Sequence, residues 1–172
     1  MYIRTVNDQR KFGLNSPVPE APSLSSVTQL DPGQTATAVA QIRSAAGTVV
    51  ADVFLKDGKT VAALIKDATA DAFSRAGYRV VESVTAPTDI GIDVDILKFW
   101  AYNTGAWTFK FTAIIDTRIR ADAPSVAPDN NVTSTLSLQS AVAATPGSFR
   151  NTVTKALEKY TEDLTAELSK RR

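Results

Sequence analysis

Three carboxylates raise the first chemical question: Asp93, Asp95 and Asp116. Asp93 and Asp95 lie two residues apart in an alternating apolar run, so an extended chain puts both on one face, roughly 7 Å apart. Asp116 ends a second alternating run, which the turn at Asn103-Thr104-Gly105 folds back along the first and brings toward Asp93. Three such groups supply hard oxygen ligands for Mg²⁺ or Ca²⁺, and the reaction class would be metal-dependent hydrolysis. The same period of two also describes the solvated face of a half-buried strand. That plainer reading is preferred, so no metal and no cofactor is expected.

Aromatic residues form the second constellation. Phe99, Trp100, Tyr102, Trp107, Phe109 and Phe111 crowd the tip of the expected hairpin. Cross-strand pairing accounts for Phe109 and Phe111. Alternation cannot bury Phe99 and Trp100 on one face, so Trp100, Tyr102 and Trp107 are candidates for an exposed platform that stacks on sugar rings or enters a partner's pocket.

Other chemistries are narrowed by absence. The 172 residues include no His and no Cys. The usual proton carrier near neutral pH is missing, and so are thiol catalysis, disulfides and thiolate metal sites. Gly-rich phosphate loops, G-x-S-x-G elbows and H-E-x-x-H runs do not occur. Nineteen basic residues against 18 acidic ones leave a formal charge of +1, with no bulk field for nucleic acid or anionic lipid. The one basic cluster is Lys170-Arg171-Arg172. Asn131-Val132-Thr133 fits a glycosylation sequon, a pattern too short to carry weight. No catalytic residues are assigned, and the chain is expected not to be an enzyme.

The elements that would position these groups follow from periodicity. Tyr2–Asn7 reads as a strand. A Pro- and Ser-rich stretch, about 11–34, reads as an extended loop because Pro17, Pro19 and Pro22 lack the N–H of a ladder. Thr37–Ile42 and Val49–Leu55 are candidate strands, the second closed by Asp57-Gly58. Thr60 can cap a helix whose apolar stripe is Val61, Leu64, Ile65, Ala68, Ala72 and Phe73, and Gly77 ends it. Tyr78–Val84 is expected to be a strand. The runs around Ile90–Leu97 and Trp107–Asp116 make a long antiparallel hairpin. Leu136, Leu138 and Val142 mark a last strand. Ser148 is the expected cap of a final helix with the stripe Phe149, Val153, Ala156, Leu157, Tyr160, Leu164 and Leu168. Burying one such side chain contributes about 1.5–3 kcal/mol, so each helix needs a shared apolar surface. The expected fold is one α+β domain over 1–172: a two-layer sandwich with an antiparallel-rich sheet of about four or more strands and both helices on one face.

The pattern Val6-Asn7-Asp8-Gln9-Arg10, then Ile42-Arg43-Ser44-Ala45-Ala46-Gly47, then Arg75-Ala76-Gly77-Tyr78-Arg79-Val80-Val81 resembles the YajG-type family of bacterial envelope lipoproteins. The element order is also similar to other small outer-membrane lipoproteins such as the LptE group. The resemblance implies a periplasmic domain, tethered to the outer membrane by a lipid on a Cys that would precede this chain. It implies a protein-binding or scaffold role and supplies no catalytic residues. Peptidoglycan, held by the aromatic platform, is the alternative partner. Asp8, Arg10, Arg43, Gly47 and Gly77 are then the structural motif. Asp8 and Arg10 share one side of an extended segment and are expected to pair with backbone or with each other's neighbours, fixing the loop that follows.

Overall fold

The computed structural model describes residues 1–84, 86–87, 89–105, 108–128, 131–140 and 144–171. Six strands form one mixed sheet: β1 (Tyr2–Asp8), β4 (Ala38–Arg43), β5 (Val49–Phe54), β6 (Gly91–Thr104), β7 (Phe109–Ala121) and β8 (Val132–Ser140). Two further strands, β2 (Gly13–Leu14) and β3 (Ser23–Leu24), make a separate parallel pair. The helices are α1 (Pro32–Thr35), α2 (Val61–Arg75) and α3 (Pro146–Ser169). The sheet order is β5-β4-β6-β7-β8. β7 pairs with β6 along nearly its whole length, so β1 and β4 share the other edge of β6. Both run parallel to β6, β1 beside Gly91–Ile96 and β4 beside Ala101 and Tyr102. They therefore lie end to end.

The fold is an α+β sandwich, with α2 and α3 packed on one face of the sheet. Ile92, Val94 and Ile96 of β6 and Ile115 and Ile119 of β7 meet Ile65 and Phe73 of α2 and Phe149, Tyr160 and Leu164 of α3 in one core. Thr60 caps α2 by accepting the Ala63 N–H at 3.2 Å. At its other end Gly77 adopts φ +87°, a conformation that penalises a Cβ. Gly77 N–H reaches the Ser74 carbonyl and Tyr78 N–H the Phe73 carbonyl. This is the Schellman pattern, and the Phe73 and Tyr78 rings pack edge-on at 5.6 Å beside it.

That cap corrects one expectation. Residues 78–84 form no strand, because Tyr78 is drawn into the helix end. The segment is tied instead to the start of the chain, where Val81 N–H donates to the Met1 carbonyl and the Met1 amine to that of Arg79. A second correction concerns α3. Thr145, not Ser148, caps it, and Pro146 takes the first helical position, where a missing N–H costs nothing. The 11–34 stretch, expected as an extended loop, contains β2, β3, a 3-10 turn at Val27–Leu30 and α1. Val142 lies outside the described residues.

One irregularity in β6 organises both faces. Ile96 faces Thr117 and Lys98 faces Asp116, so Leu97 is an extra residue, a β-bulge. Before it, even-numbered residues point at the helices; after it, Phe99 and Ala101 do. Trp100 and Tyr102 turn to the opposite face.

The Tyr160 hydroxyl ties three elements together, lying 3.0 Å from the Thr117 hydroxyl on β7 and 3.3 Å from that of Thr69 on α2. All three groups are buried, and burial pushes the Tyr160 phenol pKa up. Tyr160→Phe is expected to lower unfolding free energy by about 1–3 kcal/mol, since two buried hydroxyls lose their partner. Urea denaturation measures this, and unchanged stability would show that the two threonines find other partners.

Candidate functional site

The three candidate acids sit on the sheet face away from the helices, but they do not converge. Register places Asp116 opposite Lys98, whereas Arg120 faces Asp93 and Arg118 faces Asp95. The expected approach of Asp116 to Asp93 is therefore overturned, because the hairpin register sets Asp116 against Lys98, well along β6 from Asp93. Arg4 clamps Asp93 at 2.6 and 3.0 Å, and the Thr5 hydroxyl donates to it at 2.7 Å. Arg4 also bonds Asp122 at 2.9 Å. The hydrogen bonds from Arg4 hold the Asp93 carboxyl down at a pKa of about 2. Asp95 is 0% exposed and bound by Asn7, Arg118 and Arg120. Burial alone would raise its pKa, but the Asn7 and Arg118 hydrogen bonds and the two guanidinium charges together depress it. Asp116 accepts from the Thr133 hydroxyl. The Asp93 and Asp95 carboxylates are occupied by arginines, and among the described residues no cluster of three or more acids is placed to hold a metal.

Arg10 lies where β1 hands over to β4. Its side chain is 0% exposed. The guanidinium donates to the carbonyls of Ala38 at 2.6 Å, Phe99 at 3.1 Å and Thr35 at 2.7 Å. Asp8 receives Nε at 2.8 Å and Nη2 at 2.7 Å. The planar, five-donor fork thus fills a gap in the ladder that no backbone reaches. The guanidinium also stands 5.0 Å from the centroid of the Phe12 ring, which packs edge-on against Trp100.

Arg43 plays a parallel part at the end of β4. It donates to the carbonyls of Gly47 at 3.1 Å and Ser16 at 2.6 Å and to Gln41 Oε1 at 2.7 Å. Its backbone N–H and C=O are both met by the Asn103 amide. Burial pushes its pKa down, and its Nε is the one buried side-chain polar atom without a hydrogen bond among the described residues. Gly47 lies in the β4–β5 turn at φ +81°. Arg43 and Gly47 are brought together; Gly77 belongs instead to the α2 end.

The aromatic candidates are mostly not a platform. Trp100 is 1% exposed and Tyr102 8%. The 11–34 stretch covers them: Trp100 Nε1 donates to the Pro19 carbonyl at 3.1 Å. Burial and the neighbouring Glu20 charge raise the Tyr102 pKa. Exposure was expected because alternation leaves no room for these rings beside Phe99; it fails because the loop builds a second small core on the far face. Trp107 lies outside the described residues.

A concave site with no counterpart among the sequence candidates opens between β5, the β5–α2 connection and the first half of α3. The cleft encloses about 470 Å³. Its apolar lining includes Val53, Leu64 and Val153, and its rim carries Lys56, Lys59 and Arg150, with Asp57 as the acidic member. None of the three cations has an ion-pair partner among the described residues. Lys56 and Lys59 flank the Asp57-Gly58 turn, which was a readable signal. Arg150 arrives from α3, and only the packing of that helix shows the convergence.

Comparison with known proteins assigns no family. No protein-family model matches the chain, and no curated protein matches it. Solved structures similar to it include the following two. One is a crystal structure described as an uncharacterized protein, 9% identical, covering 97% of this chain and 90% of that one with a TM-score of 0.37. The other is protein XCC0632 from Xanthomonas campestris, of the DUF330 family, 11% identical, covering 98% of this chain and 83% of that one with a TM-score of 0.45. Neither is described as a YajG-type protein, so that resemblance gains nothing from them.

Two outcomes test this face. Arg10→Ala should cost about 3–5 kcal/mol, because a buried pair loses one partner and carbonyls lose their donor. Arg10→Lys should recover only part, since an ammonium cannot span the fork. An unchanged melting temperature combined with lost partner binding would move the Asp8–Arg10 pair from structure to function. The second outcome concerns acid. A carboxyl whose folded pKa is about 2 against an ordinary 3.8 contributes stability that is complete above pH 4 and is lost as pH falls toward 2. Asp93→Asn should flatten the stability profile across that window; a wild-type slope retained in the variant would count against the Arg4 clamp.

Proposed function

We propose that this chain is a non-enzymatic binding domain of the bacterial envelope, which holds an envelope protein in the cleft between β5, α2 and α3. The observation that carries the reading is the cleft itself, an apolar floor under Lys56, Lys59 and Arg150, cations without an ion-pair partner among the described residues. Such a site suits a segment that presents apolar side chains beside Asp or Glu. Apolar burial supplies affinity, and charge supplies orientation and encounter rate. The acids and arginines that drew attention in the sequence are occupied in holding the sheet, which favours binding over catalysis. The periplasmic setting, with a lipid tether to the outer membrane from a Cys preceding this chain, rests on the YajG-type resemblance of the quoted motifs. Burial of Trp100 and Tyr102 argues against a glycan platform built on them.

Fluorescence anisotropy with labelled peptides that alternate Leu or Phe with Glu tests the cleft. Binding is expected to weaken at least tenfold in Lys56→Glu/Lys59→Glu/Arg150→Glu, and to weaken with added salt in the wild type. Equal affinity in both proteins would refute the site. Palmitate labelling and fractionation of cells expressing the whole gene test the setting separately, and recovery of an unlabelled cytoplasmic product would remove it.

A further inference from the structure

The two ends of the sheet are finished differently. β5, at one edge, is six residues long, contains Asp52, and pairs with β4 through an interrupted register. These are the devices that keep an edge from pairing further. β8, at the other edge, has none of them. Its nine residues, Val132-Thr-Ser-Thr-Leu-Ser-Leu-Gln-Ser140, include no charge, no Pro and no Gly. Its register with β7 is unbroken from Thr117↔Val132 to Phe109↔Ser140. Among the described residues, no backbone group outside β7 pairs with it. Leu136 and Leu138, on its helix-facing side, remain half-buried.

We infer that the β8 edge pairs antiparallel with β8 of a second copy of this chain, continuing the sheet across a twofold axis at Leu136. The strand is self-complementary in that register. All nine residues overlap, Leu136 meets Leu136 of the second copy, and Thr135 meets its Ser137. With no charge on the strand, no like-charged pair opposes this register, and Leu136 on the axis meets its own apolar copy. The neighbouring strand adds complementarity. Asp116 lies beside Thr133 and Lys110 beside Gln139. Because Thr133 meets Gln139 of the second copy, the two symmetry-related rows through these residues run from an acid on one copy to a base on the other. The helices of both copies stay on one side of the joined sheet, and the half-covered leucines are closed over. The cleft lies toward β5, at the opposite edge, so this dimer stands or falls independently of the proposed function.

Sedimentation velocity of the full chain from micromolar to several hundred micromolar tests the inference. The wild type should sediment as a dimer over the upper part of that range. Thr135→Lys/Ser137→Lys puts like charges opposite each other twice and should weaken the dimer at least a hundredfold. Thr135→Lys/Ser137→Glu sets each introduced cation against an introduced anion and should restore it. A monomeric wild type overturns the proposal. So does a dimer that survives the first variant, or one lost equally in both variants when circular dichroism shows both folded. Should a variant fail to fold, hydrogen exchange of the wild type decides: amide protection in residues 132–140 must rise with protein concentration, and concentration-independent exchange there rejects the edge.

Discussion

One side chain joins two halves of the sheet. β1 ends at Asp8 and β4 begins at Ala38, yet both lie along the same edge of β6. Between them the β6 backbone has no strand to pair with. Buried carbonyls left so would cost about 1–3 kcal/mol each. The Arg10 guanidinium supplies the missing donors, reaching Phe99 on β6 together with Ala38 and Thr35. Asp8 balances the charge from two residues away. A lysine carries the same charge but cannot aim several donors along fixed directions. The placement of β4, and with it the short helix before it, depends on this contact.

The far face of the sheet is built outward from the same place. Phe12 packs against the guanidinium and then edge-on against Trp100. Trp100 is available there because the bulge at Leu97 reverses which residues of β6 face the helices. A regular strand would have sent Phe99 and Trp100 to exchanged faces. The Pro- and Ser-rich stretch then closes over this second small core. It is anchored by the Pro19 carbonyl on Trp100 and by Ser23 on Gln41. The rest of that face, beyond the loop, is held by arginine–aspartate pairs among β1, β6 and β7.

These arrangements locate where the surface remains open. Groups with the strongest chemical character are turned inward or paired with one another. What the described surface offers instead is shape and unfilled pairing: an apolar cleft under cations at one side of the helix layer, and an uncapped strand at the opposite edge of the sheet. Both suit association, the cleft through excluding water and the strand edge through its unpaired backbone N–H and C=O groups.

Local patterns in the sequence determined a good deal. The helical stripes from Val61 to Phe73 and from Phe149 to Leu168, the Thr60 cap, the Gly77 stop and the long hairpin all follow from spacing within a few residues, because helix and strand periods are properties of the local backbone. The absence of His and Cys was equally plain. What only tertiary structure decided depends on register between distant segments. Arg10 meets Phe99 across 89 positions, and Arg4 meets Asp93 across the same number. One inserted residue at Leu97 exchanged the faces of Trp100 and Phe99, and the hairpin register set Asp116 against Lys98, away from Asp93. Side-chain orientation in a strand has a period of two, so a single-residue slip reverses it, and no local pattern announces where that slip falls.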